Sequence, residues 1–325
     1  MTKQIIDATD NLPLVSFIIP TYNADKYLFR CLQSINNQAY PREKIEVIIA
    51  DGRSNDDTLM IANQFGYTIV DNIDRDADNG KYLAIQKSEG EYLIFLDADN
   101  IIVGNDWLID FIKILKQDSS LLGAESNYLI NNDFSSLNTY ANLLVIVDPL
   151  ARCLSSKPLK IDNLVFDNIK YQIKHYDKSH IPVAGANGFI WKREFAVDNL
   201  DHKYRKFAET SILAKISGNQ AIKYINIPNY GVYHYYSDTL SDYIKKRVKI
   251  GNKYLERRGR QVTWVEQVGI VRFILASIYL ASVIGPSFEA IYMSIRTKKI
   301  QWLWHPIISF ITIAIYFKLF ISKII

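Results

Sequence analysis

Cysteine is scarce. The 325-residue chain holds two, Cys31 and Cys153, too few for a disulfide framework and without the spacing of a thiolate metal site. Two lone thiols fit a reducing compartment, and Cys31, inside a helical pattern, reads as core packing. Charge of one sign is also missing. The net charge is only +4, which gives no general attraction to polyanions and makes nucleic acid an unexpected partner. The opening stretch MTKQIIDATDNLP has no apolar run of the kind a signal peptide carries, so none is expected.

Apolar residues, by contrast, make up 49% of the chain and Tyr occurs 21 times, enough for one large domain plus an appendage, or for two domains. VSFIIP (15–20), IEVIIAD (45–51), YTIVDN (67–72) and YLIFLDADN (92–100) are short apolar runs of buried-strand type. Between them lie helical patterns. Tyr27, Leu28, Cys31, Leu32 and Ile35 share one face; SNDDTLMIANQFG (54–66) starts with capping residues and ends on Gly66; KYLAIQKSEG (81–90) completes the set. Alternation of this kind predicts a doubly wound α/β layer with a largely parallel sheet. Ligands then bind beyond the carboxyl ends of the strands, where Pro20, Asp51 and Asp97 stand.

The middle is less regular. ANLLVIVDPLARCL (141–154) is apolar and reads either as a core helix or as a wall on the acceptor side. AGANGFIWKREF (184–195) turns around Gly185 and Gly188, and FAETSILAKISG (207–218) reads as a helix. Between Lys245 and Arg260 eight Lys or Arg residues face one acid, Glu256, a block suited to phosphates or to an anionic membrane surface.

The last sixty residues change character. Residues 302–321 (WLWHPIISFITIAIYFKLFI) are long and apolar enough for a membrane span. Val268 to Ile284 qualifies if Arg272 reaches the interface, and Trp264, Trp302 and Trp304 resemble interfacial belts. The basic block places a catalytic domain on the cytosolic side, with Lys318 and Lys323 in agreement. Two spans would put RTKK (296–299) outside, against the same rule; a first segment that is re-entrant or lies on the surface removes the conflict.

In YLIFLDADN, Asp97 and Asp99 sit one residue apart beyond a strand, where alternation is expected to turn both side chains the same way. Such a pair suits a hard divalent cation, Mg²⁺ or Mn²⁺, shared with a nucleotide diphosphate. A lone Asp-x-Asp is a weak signal, but three segments appear in order: FIIPTYNADKYLFRCLQSI (17–35), ADGRSNDDT (50–58) and GEYLIFLDADN (90–100).

In these motifs the chain resembles the family 2 glycosyltransferases of GT-A fold, densely over residues 14–110 and more loosely over 183–236. The resemblance implies an α/β, Rossmann-like nucleotide-diphospho-sugar transferase domain over 1–240, followed by a basic amphipathic segment (241–263) and a membrane region (264–325) of two transmembrane helices. It implies that Pro20, Thr21 and Tyr22 line the base and ribose pocket, that Asp51 accepts from the base, and that Gly52 and Ser54 shape the loop. Asp56 caps the following helix, Lys81 stands where the family reaches the nucleotide with Arg, and Tyr82 and Ala84 replace the usual Asn and Gly. Asp97 would meet the ribose and Asp99 the metal, with His234 of GVYHYYSD completing the metal or pyrophosphate site. Glu209 of AETSILAKI stands where the family has its base, and Lys245, Lys246 and Arg247 would meet a donor or lipid phosphate.

The activity so implied is an inverting, metal-dependent transfer from a UDP-sugar to a lipid-linked acceptor, such as a polyprenyl phosphate or a polyprenyl-linked glycan. A processive polysaccharide synthase fits less well, because Gln-x-x-Arg-Trp is missing. A nucleotide-binding membrane scaffold without turnover is the reading from another class.

Overall fold

The structure, a computed structural model, describes residues 12–144, 146–155, 158–177, 180, 187–217, 221–257 and 269–322. Gly185, Trp264, Lys323 and the end of the basic block fall outside the described residues.

Four strands form the parallel half of the sheet: β1 (Val15–Thr21), β2 (Ile45–Asp51), β3 (Thr68–Asp71) and β4 (Tyr92–Leu96). Their connections carry α1 (Asp25–Asn36), α2 (Thr58–Gln64) and α3 (Ala77–Lys87). Alternation decides which face each strand residue serves. Val15, Phe17 and Ile19 pack with Leu28, Leu32 and α4 (Trp107–Leu115) on one side, while Ile18 joins Tyr82, Ile85 and Phe95 on the other. Asp56 ties two helix starts together, accepting from Thr58 N–H at 3.0 Å and from Asp25 N–H at 3.2 Å.

The second half of the sheet is mixed rather than parallel. Beyond β4 come β9 (Asn187–Lys192), β6 (Gly123–Leu129), β10 (Ile222–His234), β8 (Ile169–Tyr176) and β7 (Lys160–Phe166), and only β6 and β10 run parallel. The reason is connectivity: β9 enters between β4 and β6 antiparallel to both, and β7–β8 is a hairpin. Phe207 and the short helices α7 (Arg193–Asp198) and α8 (Glu209–Ser217) cover the face that carries Phe95 and Trp191. YLIFLDADN is not one strand. β4 stops at Leu96, and β5 (Asn100–Ile102) pairs antiparallel with β10.

The apolar stretch 141–154 is not one helix either. α5 (Ser136–Leu143) and α6 (Pro149–Leu154) are separated by a break, and Asp148 caps α6 through Leu150 N–H at 2.8 Å and Ala151 N–H at 3.1 Å. α9 (Leu240–Arg257) holds the described part of the basic block.

The C-terminal region forms α10 (Ile270–Ala281), α11 (Ile284–Thr297) and α12 (His305–Ile321), the last preceded by a 3₁₀ turn over Ile300–Trp304. α10 and α11 are bent by 76° at their junction, whereas Ile300–Ile321 is one helix long and apolar enough to cross a membrane. These helices pack on the rest of the chain. Trp302 and Ile308 share a buried cluster with Leu137, Tyr140 and Tyr243, and Ala276 and Leu280 share another with Leu150 and Leu154.

Candidate active site

Parallel register sets Thr21 beside Asp51 at the carboxyl ends of β1 and β2. The Thr21 hydroxyl donates to Asp51 Oδ1 at 2.8 Å; Ser54 adds its N–H to Oδ2 at 2.8 Å and its hydroxyl to Oδ1 at 2.6 Å. Gly52 N–H donates to the Thr21 carbonyl at 2.8 Å. The Asp51 carboxylate is thus fixed and 3% exposed, with one lone pair left, on Oδ2. Pro20, Thr21 and Tyr22 line a cavity of about 400 Å³ with Tyr27, Tyr235 and the acidic turn, and Asp51 stands behind its partner Thr21. The Arg75 guanidinium lies 5.1 Å from the centre of the Tyr22 ring.

The acidic pair is aligned by a turn, not by strand alternation. Asn100 N–H closes it onto the Asp97 carbonyl at 3.0 Å, and Tyr235 N–H binds the Asp99 carbonyl at 2.9 Å. Pairing of β5 with β10 sets His234 opposite Asn100 and so brings in a residue more than 130 positions away. His234 Nε2 is 3.6 Å from Asp99 Oδ1, and Lys246 Nζ is 3.3 Å from Asp99 Oδ2. Burial first, then the charge of Asp99, pushes the Asp97 carboxyl up to about 7, against the pull of Lys81 and Lys246. Burial also lowers His234 to about 4, despite the opposing effect of Asp99, so its ring is neutral near pH 7.

Among the described residues no three His, Cys, Asp or Glu side chains form a cage for a metal ion. The set nevertheless fits a shared cation. Asp99 faces a neutral imidazole nitrogen, His234 Nε2, and a cation there would displace the Lys246 ammonium from Asp99 toward the diphosphate. Mg²⁺ or Mn²⁺ held in this way would take its remaining ligands from water and a diphosphate.

A second cavity, about 360 Å³, shares Asp97, Asp99, Tyr236 and Lys246 with the first and opens on their other side. Its far wall holds Glu125 and Asn127 from β6, Val147 from the α5–α6 break, Lys174 from β8 and Ile250 from α9. The stretch 141–154 therefore supplies both core, through Leu144 and Leu150, and cavity wall, through Ile146 and Val147.

Other sequence-derived candidates are placed elsewhere. Lys81 Nζ binds Glu209 Oε1 at 2.7 Å and Oε2 at 2.5 Å; the two are 6% and 4% exposed and line neither cavity. They stand behind Asp97, whose carboxyl feels both charges. Lys245 points outward, 3.9 Å from Asp242, whereas Arg247 reaches the wall of the second cavity but is 2% exposed and donates to Asp148 at 2.8 Å and to the Tyr236 hydroxyl at 2.9 Å. Of that basic trio, Lys246 alone lines both cavities. Sequence reasoning missed Tyr235, Tyr236 and the Glu125–Lys174 ion pair. The aromatic run YHYYSD flagged the tyrosines; nothing local marks Glu125, which pairs with a residue 49 positions away.

Residues 16–141, which hold the acidic turn and the Thr21–Asp51 contact, match the family described as Glycosyl transferase family 2. This part of the chain is similar to glycosyl transferase family 2 domains. Glycosyltransferase AglE of Haloferax volcanii is 42% identical over 98 residues, 28% of this chain and 32% of that protein, so the chain spans about a third of this relative. A relative from Methanococcus voltae, dolichyl N-acetyl-alpha-D-glucosaminyl phosphate 3-beta-D-2,3-diacetamido-2,3-dideoxy-beta-D-glucuronosyltransferase, is 23% identical over 325 residues, covering 91% of this chain and 92% of that one. Among solved structures, the mannosyltransferase PcManGT from Pyrobaculum calidifontis, in complex with GDP-Man and Mn²⁺, superposes with a TM-score of 0.57 at 17% identity, over 96% of this chain and 88% of that chain. The fold is the Rossmann-like α/β fold of GT-A proteins.

Proposed function

We propose that the chain is a membrane-attached, metal-dependent, inverting glycosyltransferase that moves a sugar from a nucleotide-sugar, UDP-linked in the first instance, to a lipid-linked acceptor. The observation that carries this reading is the junction of two cavities at Asp97, Asp99 and Lys246. The cavity lined by Pro20, Thr21 and Tyr22 suits the base and ribose, with Asp51 as the fixed acceptor behind them. The other, walled by Glu125, Lys174 and apolar Val147 and Ile250, suits an acceptor with a polar head and a hydrocarbon tail. The Methanococcus voltae relative, named for a dolichyl-phosphate-linked substrate, supports a polyprenyl acceptor.

In this scheme the acceptor oxygen attacks the anomeric carbon from the second cavity while the bond to the diphosphate breaks toward the first. Lys246 meets the charge that develops on the leaving diphosphate, and Asp97 and Asp99 orient ribose and phosphates. A cation held by Asp99 and His234 would add Lewis-acid stabilisation of the same leaving group. Glu209, held by Lys81, acts as a positioning residue behind Asp97 in this arrangement, which suits an acceptor phosphate that is already anionic. The basic helix α9 supports a cytosolic catalytic face.

The test is to incubate the purified chain with UDP- and GDP-sugars, polyprenyl phosphate and Mn²⁺ or EDTA, and to follow nucleoside diphosphate release and lipid products by mass spectrometry. Asp99→Asn should lower turnover at least about a hundredfold. Nucleotide binding with no release of diphosphate from any donor would instead favour the scaffold reading.

A further inference from the structure

Each C-terminal helix has two unlike faces. Outward, α10 shows Ile270 and Ile274, α11 shows Phe288 and Ile295, and α12 shows Phe310 and Phe317, from 48% to 76% exposed. Inward, α12 is fastened to the sugar-transfer domain along its length. His305 meets the Tyr140 hydroxyl at 2.7 Å, Thr312 meets that of Tyr243 at 3.2 Å, Tyr316 donates to Asp148, and Leu319 lies where a Cβ on Gly251 would be 2.6 Å away. From His305 to Leu319 is about 21 Å of helix, roughly two-thirds of a bilayer's hydrocarbon thickness.

The helix beneath that seam is α9, and its other side holds charge. Lys246 lies 3.3 Å from Asp99, and Lys253 pairs with Asp76 and lies 3.2 Å from Asp78. One helix diameter, about 10 Å, therefore separates α12 from the acidic site. Were α12 to cross the bilayer upright, these ion pairs would enter hydrocarbon with it, at several kcal/mol per charge. α10 and α11, at 12 and 14 residues, are each too short to cross, and their 76° bend prevents them from adding up.

The charge of this region is cationic. The same helices and the turn between α11 and α12 carry Arg272, Arg296, Lys298, Lys299 and Lys318, and Glu289, the one acid between 269 and 322, is turned inward to Arg152 and His305. That complement selects anionic phospholipid headgroups over a zwitterionic surface or an acidic-free protein face.

We infer that α10, α11 and α12 form an in-plane platform, sunk by its outer face into one leaflet of an anionic membrane, with no helix crossing to the other side. The inference rests on the membrane attachment proposed above and adds its mode. It also sets the acceptor cavity, walled by Val147 and Ile250, within one helix layer of the headgroups, where a lipid phosphate would be met.

Topology decides it. In the full chain with Cys153→Ala, Cys31 is 0% exposed and stays silent to reagent. Single cysteines are placed at Met60 (catalytic side), Lys298 (the α11–α12 turn) and Ser322 (the end of α12), and the proteins are reconstituted in sealed phosphatidylglycerol vesicles. A membrane-impermeant maleimide should label all three to the same fraction before detergent is added. A crossing α12 would put 298 and 322 on opposite sides, so that one stays protected until detergent, and that pattern overturns the inference. A second arm measures flotation with phosphatidylglycerol and phosphatidylcholine vesicles. Phe288→Glu with Ile295→Glu should weaken binding to the former at least tenfold, and wild type should bind the latter less. Unchanged flotation of the double variant, or no flotation of wild type, also overturns it. Neither readout uses sugar transfer, so failure here is distinguishable from failure of the proposed activity, which diphosphate release in detergent reports separately.

Discussion

Lys81 and Glu209 show how a single buried pair divides a structural role from a chemical one. Both residues are nearly sequestered, and Glu209 is the nearer of two carboxylates, with Asp78, that answer the Lys81 charge. Glu209→Ala leaves the ammonium with only its longer 3.6 Å contact to Asp78 and should cost about 3 kcal/mol, read as a fall in the urea midpoint with m unchanged. Lys81→Met with Glu209→Leu removes both charges and should recover most of that loss. If the double variant regains stability and most of its turnover, the pair is structural only; if it regains stability with turnover still low, the pair positions Asp97. Asp76 gives a pH prediction at the same scale. Burial alone would raise its carboxyl, but Lys253 and Lys206 outweigh burial and hold it at about 2. An unfolded Asp titrates near 3.9, so the folded value is depressed and the stabilisation is present above about pH 4, then lost as pH falls toward about 2. The contribution is on the order of 2 kcal/mol. Urea melts from pH 5 to 2 should show that decline in wild type and a flatter limb in Asp76→Asn.

Helices and strands carry a different kind of information. Gly251 on α9 is where α12 comes closest, and a side chain there would meet Leu319 Cδ1 at 2.6 Å and Tyr316 at 3.3 Å. Gly251→Val should therefore cost about 1–3 kcal/mol by overpacking the seam, and Leu319→Ala should rescue part of it, measured by thermal melts of the single and double variants. In β6, a Cβ on Gly123 would fall 1.9 Å from the Ile190 carbonyl, a rigid backbone atom, so Gly123→Ala should disturb the β6–β9 pairing with no such rescue. The parallel strands were legible in advance because alternation and short apolar runs are local signals: β1 and β2 end where the residues change, at Thr21 and Asp51. The site was legible only in part. Asp97 and Asp99 announce themselves as neighbours, but their contact with His234 depends on β5 pairing with β10, and the burial of Lys81 depends on a partner 128 positions away. Charge counting along 245–260 could not tell that Arg247 is spent on Asp148 and Lys253 on Asp76, because the allocation follows from which face of α9 each residue occupies.

At the scale of the whole chain, the question is whether the C-terminal helices are a detachable anchor or part of the folded body. Their inner faces argue for the second. Tyr140 and Tyr243 are fully buried, and both are covered by α12; Asp148, which answers the buried Arg247, is also bonded by Tyr316. Ending the chain after residue 257 would bare these aromatic side chains, at about 1.5–3 kcal/mol each, and open the Arg247–Asp148 pair to water. Tyr236, bonded to Arg247, lines both cavities, so the damage should reach the site. The truncated chain should melt broadly or aggregate in detergent-free buffer, and titration with UDP and Mn²⁺ should show at least tenfold weaker binding than the full chain. A truncated protein that melts in one sharp transition at the full-length temperature and keeps its nucleotide affinity would mean that the helices are an appendage. In that case the contacts from Tyr140 to Gly251 would contribute nothing that the rest of the chain needs, and α12 would be free to leave it and cross the bilayer.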